Sequence, residues 1–449
     1  MSHVVVVGHG PFRHSGASSL SAHGLRSWHV ARTLEQDGHA VTLVALRSAH
    51  TEDWPAARVT RSVEHGIDVM DVSEHLPRER GAWLRDALPR PDAYVGVGLD
   101  GCAAATALCG ETPVFADLNG APFAEAQVKA AAVGHARWTA GVHARFVSVL
   151  ERADRFGACS PLHRGALIGQ LGLVGRLGAA ETGEELVHVM PNGLCAEELD
   201  ALSVPARAHD GFVLLLSGGF NTWFDEDMAH RVITRALGAH PGLRVRVLGG
   251  GIEGHYTAGF RRFDEKVRTG AHADRVEFLG WVPASALPDH YAGADAALLC
   301  DRPGYEGELG ARTRVLDWLA AGLPVVMTRL SAISVELECE GAALTASPGD
   351  DAALAEHVRR LISSPDQTRD MRSLARASAE RRNVATLMAP LCRFVRDPVR
   401  LAPAMPLPRR LSLLAQFRAR ATEAGWSAAV RDTGRWLQRR LESVPGGGR

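Results

Sequence analysis

The stretch DAALLCDRPGYEGELGARTRVLDWLAAGLPVVMT, residues 295–328, decides the fold of this chain. Its first apolar run, Ala296 to Cys300, predicts a buried strand, and a glycine-rich acidic loop follows. A helix and a Gly-Leu-Pro turn then lead into a second apolar run. This order is typical of a parallel α/β sheet, whose ligands bind beyond the carboxyl ends of the strands. We therefore predict ligand contacts from Glu306, Glu308, Gly310 and Asp317, the alternative being an ordinary βαβ unit with a solvated acidic loop.

Length and composition restrict the class of protein. A chain of 449 residues exceeds one hydrophobic core and predicts two α/β domains. The net charge of -1 gives no basic excess for a nucleic-acid partner. Seven scattered cysteines without a CxxC pair predict reduced thiols in a cytoplasmic protein without a structural zinc. The first residues, MSHVVVVGHG, are too short an apolar run for a signal or membrane segment and predict the first strand instead.

The first half of the chain alternates predicted strands and helices. The strands are expected at 3–8, 41–46, 67–72, 93–97 and 113–116, and helices at 21–37 and 122–154. The loop GHGPFRHSGASS after strand one can bring backbone N–H groups close to an anion or a sugar. It lacks the GxGxxG pattern, and no acidic residue ends strand two, so a nicotinamide cofactor is not expected. Its candidate ligand residues, with an ordinary turn as the alternative, are His9, Arg13, His14 and Gly16.

A polar cluster follows the strand at 113–116. Asp117-Leu118-Asn119-Gly120 lies just past the strand end, where side chains reach a ligand cleft. Asn and Gly also favour turns, so a purely structural role is the competing interpretation. Asp117 and Asn119 are accordingly candidates for the reacting centre.

The domain boundary is predicted from a loss of periodicity. Residues 1–195 form the first domain, and the polar segment 196–211 is the predicted linker. The βα alternation restarts with strands at 212–219, 243–251 and 276–282, so residues 212–382 form the second domain.

The C-terminal tail, residues 397–449, differs from the rest. From Arg409 to Arg449 nine arginines face three acids, a local charge of 9 - 3 = +6, with apolar residues at helical spacing. Two interpretations fit residues 403–449: a basic amphipathic helix on an anionic membrane surface, or a helix packing on its own protein or on a second subunit of a homodimer.

Four segments in order resemble the GT-B fold glycosyltransferases of the large retaining family four. They are SGASSLSAHGLRSWHVARTLEQDGHAVTLV; RADRFGACSPLHRGAL with VHVMPNGL; ADRVEFLGWVPASALPDHYAGADAALLCDRPGYEG; and VLDWLAAGLPVV. The resemblance covers residues 3 to about 396. It implies two Rossmann-like domains facing a cleft, the donor mainly on the second and the acceptor mainly on the first. It also implies that residues 383–396 cross back onto the first domain.

The resemblance also implies roles for individual residues. The ribose-binding acid of the family's E-x7-E motif falls on Asp317, and the carboxylate facing the donor sugar on Glu306 or Glu308. Gly310, Leu309 and Gly16 fall in the phosphate and sugar loops, and Gly219 and Asn221 in the loop after the first strand of the second domain. That loop carries no cation where the family has Arg and Lys. Arg302, Arg312 or Arg314 would then stabilise the diphosphate.

The expected function is transfer of a sugar from a UDP- or GDP-sugar to a small-molecule or lipid-linked acceptor, with retention of configuration and without metal or another cofactor. The expected location is cytoplasmic, including the inner face of the membrane. Two alternatives stay open at this point. One is a partner subunit that has lost catalysis, and the other is a nucleotide-sugar epimerase of the same fold.

Overall fold

Parallel β-sheets organise both halves of the chain. The computed structural model describes residues 2–10, 21–47, 59–73, 81–178, 182–205, 207 and 209–401, with eight scattered positions between 417 and 433. Three predicted ligand residues, Arg13, His14 and Gly16, lie outside the described residues, as does most of the predicted basic tail.

The N-terminal domain contains an eight-stranded sheet in the order β3-β4-β2-β1-β5-β6-β7-β8. All its neighbouring strands are parallel except the β3–β4 pair at one edge. The elements in chain order are β1 (His3–Gly10), α1 (Ala22–Gln36), β2 (Ala40–Arg47), β3 (Val59–Glu64), β4 (Ile67–Ser73), α2 (Gly81–Ala87), β5 (Ala93–Val97), α3 (Gly98–Leu108), β6 (Val114–Asp117), α4 (Pro122–Val133), α5 (Thr139–Arg152), β7 (Arg155–Ala158), α6 (Pro161–Leu173) and β8 (Val187–Val189).

The C-terminal domain contains a six-stranded parallel sheet in the order β11-β10-β9-β12-β13-β14. Helix α7 (Ala196–Leu202) joins the domains. The later elements are β9 (Phe212–Gly219), α8 (Glu226–Ala239), β10 (Leu243–Gly250), α9 (Ala258–Arg268), β11 (Val276–Gly280), α10 (Leu287–Ala292), β12 (Ala296–Leu299), α11 (Tyr305–Leu309), α12 (Thr313–Ala320), β13 (Val325–Thr328), α13 (Ala332–Cys339), β14 (Ala343–Ala346), α14 (Asp351–Ser363), α15 (Pro365–Arg381), α16 (Val384–Leu387) and α17 (Ala389–Arg396). The prediction of two α/β domains with parallel sheets is confirmed.

Continuous apolar strands account for both cores. Val4 to Val7 of β1 are completely buried, because helices cover both faces of a parallel sheet. One N-terminal core cluster contains β1 residues together with Val384, Leu391 and Val395 of α16 and α17. Helices α16 and α17 therefore pack on the first domain.

Two elements differ from the sequence prediction. The predicted helix over 122–154 is wrong, because α4 ends at Gly134, whose φ of 75° is a left-handed helix end that glycine adopts readily. The chain resumes as α5 at Thr139. The segment 196–211, which was predicted to be an interdomain linker because it lacks periodicity, begins with helix α7. Among the described residues, no helix is long and apolar enough to cross a membrane.

Candidate functional site

The carboxyl-terminal strand ends of the two domains meet at an interdomain boundary. Asn192 Nδ2 donates to Thr313 Oγ1 at 3.0 Å, which joins the loop after β8 to the start of α12. The Cys159 thiol, after β7, donates to the Leu309 carbonyl at 3.2 Å. Ligands of doubly wound sheets bind at such strand ends, so this boundary is the candidate site.

A buried ion-pair cluster occupies the C-terminal side of the boundary. Arg312 donates from Nε to Asp301 Oδ2 at 2.7 Å, and from its two terminal nitrogens to both oxygens of Glu306, at 3.0 and 2.8 Å. All three side chains are at most 3% exposed. Asp301 lies two residues beyond the end of β12, and Glu306 lies on the short helix α11. The cluster therefore ties the acidic loop to the start of α12.

Burial sets the protonation of this cluster. It raises the pKa of Glu306 to about 7, although the adjacent Arg312 guanidinium opposes the rise. Burial also works against the charge of Arg312, but the carboxylates of Asp301 and Glu306 outweigh it and raise the Arg312 pKa. Buried Glu306 therefore keeps its proton more readily than an exposed glutamate would.

Gly310 makes room for the ion pair. A Cβ at this position would lie 2.3 Å from Glu306 Oε1 and 2.7 Å from an Arg312 terminal nitrogen. The predicted phosphate-loop glycine therefore lies directly against the cluster. The structure brings Glu306 into the cluster and leaves Glu308 exposed on α11.

Arg314 is directed at the first strand of the domain. Its terminal nitrogens donate to the carbonyls of Ser217 and Gly219, at 2.9 and 2.6 Å, where β9 ends. Gly218 has a φ of 97°, and a Cβ there would lie 3.0 Å from the Arg314 guanidinium carbon. Burial lowers the pKa of Arg314 to about 10. The loop predicted to lack a cation is thus reached by one from α12.

The remaining predicted donor residues have different surroundings. Arg302 forms an ion pair with Glu226 and donates to the Phe224 carbonyl at 3.1 Å, so its guanidinium is held beside the 219–226 loop. Asn221 belongs to a tight turn in which its N–H donates to the Gly219 carbonyl at 3.1 Å. Asp317 is partly exposed on α12, one turn beyond Arg314.

On the N-terminal side, Asp117 is part of a buried ion pair. Arg26 of α1 donates to both Asp117 oxygens, at 2.7 and 3.2 Å, and to the carbonyls of Met190 and Pro191. Asp117 and Arg26 are 0% and 1% exposed at their side chains. The sequence predicted Asp117 near the reacting centre, and the structure shows it bound to Arg26, which the sequence did not single out. Nothing in the spacing of two residues 91 positions apart could have paired them.

Asn119 and His9 lie near the ends of β6 and β1, two strands that are separated in the sheet by β5. Asn119 is buried with a φ of 45°, and its Oδ1 has no hydrogen-bond partner among the residues described. His9 lies near the end of β1 with its ring 5.4 Å from that of His23. Burial and His23 lower the pKa of His9 to about 4, against a smaller effect of Asp100. The Asn119 Oδ1 is an acceptor, and a neutral His9 imidazole has one acceptor nitrogen.

A cavity of about 260 Å³ crosses the interdomain boundary between α4, α6 and α11. His163 borders it. The Cys159 N–H donates to His163 Nδ1 at 3.2 Å, which places the imidazole proton on Nε2, and Nε2 has no partner among the residues described. Burial lowers the His163 pKa to about 4, so the ring is neutral. The cavity is lined by Ala121, Pro122, Phe123, Ala124, Gln127, His163, Ala166, Gln170, Tyr305 and Leu309.

Neither His163 nor Cys159 was predicted as a site residue. Their sequence context, FGACSPLHRGAL, marks only a strand end followed by a helix. A larger cavity of about 340 Å³ is bordered by α8 and α9, including His230 and Lys266. It contains none of the residues at the interdomain boundary and is not part of the candidate site.

Comparisons with known proteins agree with this architecture. Residues 212–364 match the family model Glycosyl transferases group 1. No curated protein sequence matches the chain. The matched segment contains the Asp301–Arg312–Glu306 cluster and the end of β9, so the family signature and the candidate donor side coincide.

Solved structures share the fold at low sequence identity. Sucrose-phosphate synthase from Thermosynechococcus elongatus is 16% identical, with a TM-score of 0.64 over 89% of this chain and 100% of that one. The Anabaena protein HepE in complex with UDP-glucose is 15% identical, with a TM-score of 0.62 over 88% and 100%. Trehalose-6-phosphate synthase from E. coli, bound with UDP-2-fluoro glucose, is 13% identical, with a TM-score of 0.65 over 89% and 100%.

The fold and the family match define the class of the protein. The chain has the GT-B fold, with two α/β domains meeting at the carboxyl ends of their strands. Residues 212–364 of its C-terminal domain match the glycosyl transferases group 1, and with this match the fold is that of a glycosyltransferase.

Proposed function

We propose that the protein transfers a sugar from a nucleoside-diphosphate sugar to a hydroxyl or thiol acceptor, with retention of configuration and without a metal ion in the transfer step. The observation that carries the proposal is the convergence of Arg312, Arg314 and the start of α12 on the interdomain boundary, within the segment that matches the family.

The start of α12 supports a diphosphate site. Its N-cap residue is Arg312, and no side chain caps its first N–H groups. Thr313 bonds across to Asn192 of the other domain, so this helix end faces the boundary. Helix N-termini and guanidinium groups both stabilise phosphate charge. UDP and GDP are the nucleotides we expect, since similar structures were solved with UDP-sugars.

The ion-pair cluster supports a reaction without a protein nucleophile. Both oxygens of Glu306 accept hydrogen bonds from Arg312, so this carboxylate is not free to attack an anomeric carbon. In front-side displacement the diphosphate leaves as the acceptor arrives on the same face of the sugar. The enzyme then contributes positioning and charge stabilisation.

The same cluster supports a step without metal. Asp301 and Glu306 are the buried carboxylates of this strand end, and both are bound to Arg312. Asp301 Oδ2 and both Glu306 oxygens accept hydrogen bonds from this permanently charged guanidinium, whereas Asp301 Oδ1 has no hydrogen-bond partner among the described residues. Arginine and backbone N–H groups would therefore carry the role that a divalent ion has in other transferases.

We place the acceptor on the N-terminal side, near Asn119 and the cavity beside His163. Asn119 Oδ1 is an unused acceptor and His163 Nε2–H an unused donor among the described residues. Both could bind hydroxyl groups of an acceptor. A small molecule or the head of a lipid-linked acceptor fits this proposal, as do a cytoplasmic location and, for residues 403–449, a contact with a membrane surface or a second subunit.

Nucleotide binding tests the proposal directly. Full-length protein in EDTA is titrated with UDP, GDP, dTDP and their sugars by calorimetry. Asp317→Asn should weaken binding about 10- to 100-fold, since a hydrogen bond to a charged group is worth about 1.5–3 kcal/mol. Asp366→Asn, an exposed aspartate on α15, is the matched control and should bind normally. Absence of binding to every nucleotide and nucleotide sugar would exclude the proposed function.

A partner subunit without catalysis is the second candidate. The observation favouring it is that Arg302, Arg312 and Arg314 are all bonded to protein groups. Turnover distinguishes the two: release of nucleotide from a bound sugar donor by the isolated chain would exclude the second candidate. Binding without turnover, together with recovery of turnover on adding a co-purifying chain, would favour it.

A further inference from the structure

Helix α1 and the domain-joining helix α7 meet at a cluster of three metal-ligating side chains. The cluster consists of His29 from the middle of α1, Cys195 at the N-cap of α7, and Glu198 in its first turn. One ligand atom from each lies within 4.8 Å of the other two. His29 and Glu198 are buried, and Cys195 is partly buried.

The three side chains already contact one another. His29 Nε2 donates to Glu198 Oε2 at 2.7 Å, and the Cys195 N–H donates to the same oxygen at 3.1 Å. The Cys195 thiol accepts from the Glu198 N–H in a capping box and interacts with the carboxylate of Glu197. Imidazole nitrogen, thiol sulfur and carboxylate oxygen thus lie within 4.8 Å of one another.

This combination of ligands selects the kind of cation. Nitrogen, sulfur and oxygen together suit a borderline-soft ion, whereas magnesium and calcium prefer oxygen alone. Ligand atoms around tetrahedral zinc stand roughly 3.3–3.7 Å apart, given bond lengths of about 2.0–2.3 Å. The 2.7 Å contact between His29 and Glu198 would have to lengthen by about 1 Å on binding, and any pair of ligand atoms near the 4.8 Å limit would have to approach by about 1 Å. We propose that His29, Cys195 and Glu198 bind a zinc ion.

Glu197 is a candidate for a fourth ligand, although it is not among the three residues whose ligand atoms all lie within 4.8 Å of one another. Its carboxylate interacts with the Cys195 thiol, and its side chain is 61% exposed. It can complete a tetrahedral set or leave that position to water, and its exposure gives the ion a route from solvent. Arg32 lies 3.8 Å from Glu197, on the outer side of the cluster.

Binding changes the protonation of two groups. The thiol releases its proton to solvent, since only the thiolate is a metal ligand. The imidazole proton moves from Nε2, where it now meets Glu198, to Nδ1, which frees Nε2 for the ion. One proton is therefore released per ion bound, and affinity rises with pH.

The location gives the ion a structural role. Arg26, one turn before His29 on α1, already holds the carbonyls of Met190 and Pro191. A zinc ion would fix the next part of the same segment, residues 195–198, to the same helix. Helix α7 also packs against α10 and α12 of the C-terminal domain. The ion would therefore hold the connection between the domains.

The proposed site differs from the expectation of no structural zinc that the cysteine spacing gave. That expectation considered only cysteines close in sequence. Here His29 and Glu198 are 169 positions apart, so only the fold brings them together.

Cobalt(II) substitution tests the site. Full-length protein without an affinity tag is stripped with chelator and titrated with Co²⁺ at pH 8. The expected result is one cobalt per chain with a thiolate-to-cobalt charge-transfer absorption, displaced by Zn²⁺. Cys195→Ser should abolish this absorption, and Cys339→Ser, an exposed thiol, should retain it. Metal content by mass spectrometry gives the zinc stoichiometry.

A second measurement uses the unmodified chain, in case Cys195→Ser fails to fold. Zinc should slow alkylation of Cys195 at least 10-fold and leave alkylation of exposed Cys339 unchanged, as followed by peptide mass spectrometry. An absorption that survives Cys195→Ser in a folded variant, or its absence in the wild type, would overturn the proposal. Equal alkylation of Cys195 with and without zinc would do the same. Nucleotide binding is measured separately, so neither result depends on the proposed function.

Discussion

Arg312 donates to both carboxylate oxygens of Glu306, at 3.0 and 2.8 Å, in a part of the protein from which water is almost completely excluded. The two residues are six positions apart: Glu306 lies on the short helix α11, and Arg312 is the N-cap residue of α12. This pair, extended by Asp301, fixes the loop that the sequence predicted to bind the donor. The stability of the loop and its affinity for a ligand are therefore coupled.

Removal of the Arg312 guanidinium should destabilise the protein strongly. Arg312→Met leaves Asp301 and Glu306 buried without their cation, which costs about 3–5 kcal/mol of unfolding free energy. Chemical denaturation monitored by fluorescence measures the loss. Arg359→Met breaks an exposed pair with Glu356 on α14 and should have little effect. Equal stabilities for the two variants would contradict the structural role of the cluster.

The Glu306 pKa predicts a specific pH dependence. Its folded-state value of about 7 lies above the ordinary 4.5, so the folded state binds the proton more tightly than the unfolded state does. The stability from this protonation is complete below pH 4.5 and is lost as pH rises through 7. The difference in unfolding free energy between wild type and Glu306→Gln should fall over this interval.

The control for this pH experiment is Glu356, whose pKa is shifted in the opposite direction. A hydrogen bond from Arg359 lowers the pKa of Glu356, so the effect of Glu356→Gln should change only below the ordinary value of 4.5. A Glu306→Gln profile parallel to that of wild type from pH 4.5 to 7 would show that Glu306 is fully ionised in the folded protein.

Asp117 is predicted to act on stability more than on donor binding. Asp117→Asn leaves Arg26 buried with a neutral partner and should cost about 3–5 kcal/mol of unfolding free energy. Nucleotide affinity should be unchanged, since the family-matched donor side begins at residue 212. Calorimetry and denaturation on one preparation separate the two effects. Asp100→Asn, in an exposed pair with Arg145, is the control.

The opposite pattern would restore the role that the sequence indicated for Asp117. If Asp117→Asn folds with normal stability and loses transfer activity at unchanged nucleotide affinity, Asp117 acts at the reacting centre. In that case the Arg26–Asp117 ion pair would not be needed for stability, and Arg26→Met should also be tolerated.

The fold could be predicted from sequence because its determining signals are local. Val4 to Val7 form a continuous apolar run, which predicts a strand buried on both faces of a parallel sheet. The same holds for Ala296 to Leu299. Gly134 shows the limit of such signals, because one glycine within an alanine-rich helical pattern can be tolerated or can end the helix. Its backbone conformation decided the outcome.

The partners of the site residues depend on long-range contacts. Arg26 reaches Asp117 across 91 positions, and Arg314 reaches the carbonyl of Ser217 across 97. The acidic loop after a buried strand indicated Glu306, and the family resemblance added Arg312 and Arg314 as possible cations for the diphosphate. The sequence could not assign their hydrogen bonds, since a guanidinium can bind a phosphate, a carboxylate or a carbonyl with similar geometry.

Arg314 offers the sharpest test of the proposed diphosphate site. Its guanidinium has five N–H donors, and two hydrogen bonds are made to the carbonyls at the end of β9. If the remaining donors bind the β-phosphate, Arg314→Met should weaken the binding of UDP about 10- to 100-fold and the binding of UMP much less. This size is expected for the loss of a charge-assisted hydrogen bond. Calorimetry with both nucleotides gives the ratio of affinities.

Arg372 provides a control with the same structural chemistry. It donates to the carbonyls of Ala294 and Asp295 at the opposite end of β12, at 3.1 and 3.4 Å. Arg372→Met should therefore lower stability without changing the UDP to UMP ratio. A ratio that is also unchanged in Arg314→Met would mean that Arg314 only supports the end of β9. The diphosphate would then have to be held by the start of α12 alone, without a guanidinium from this position.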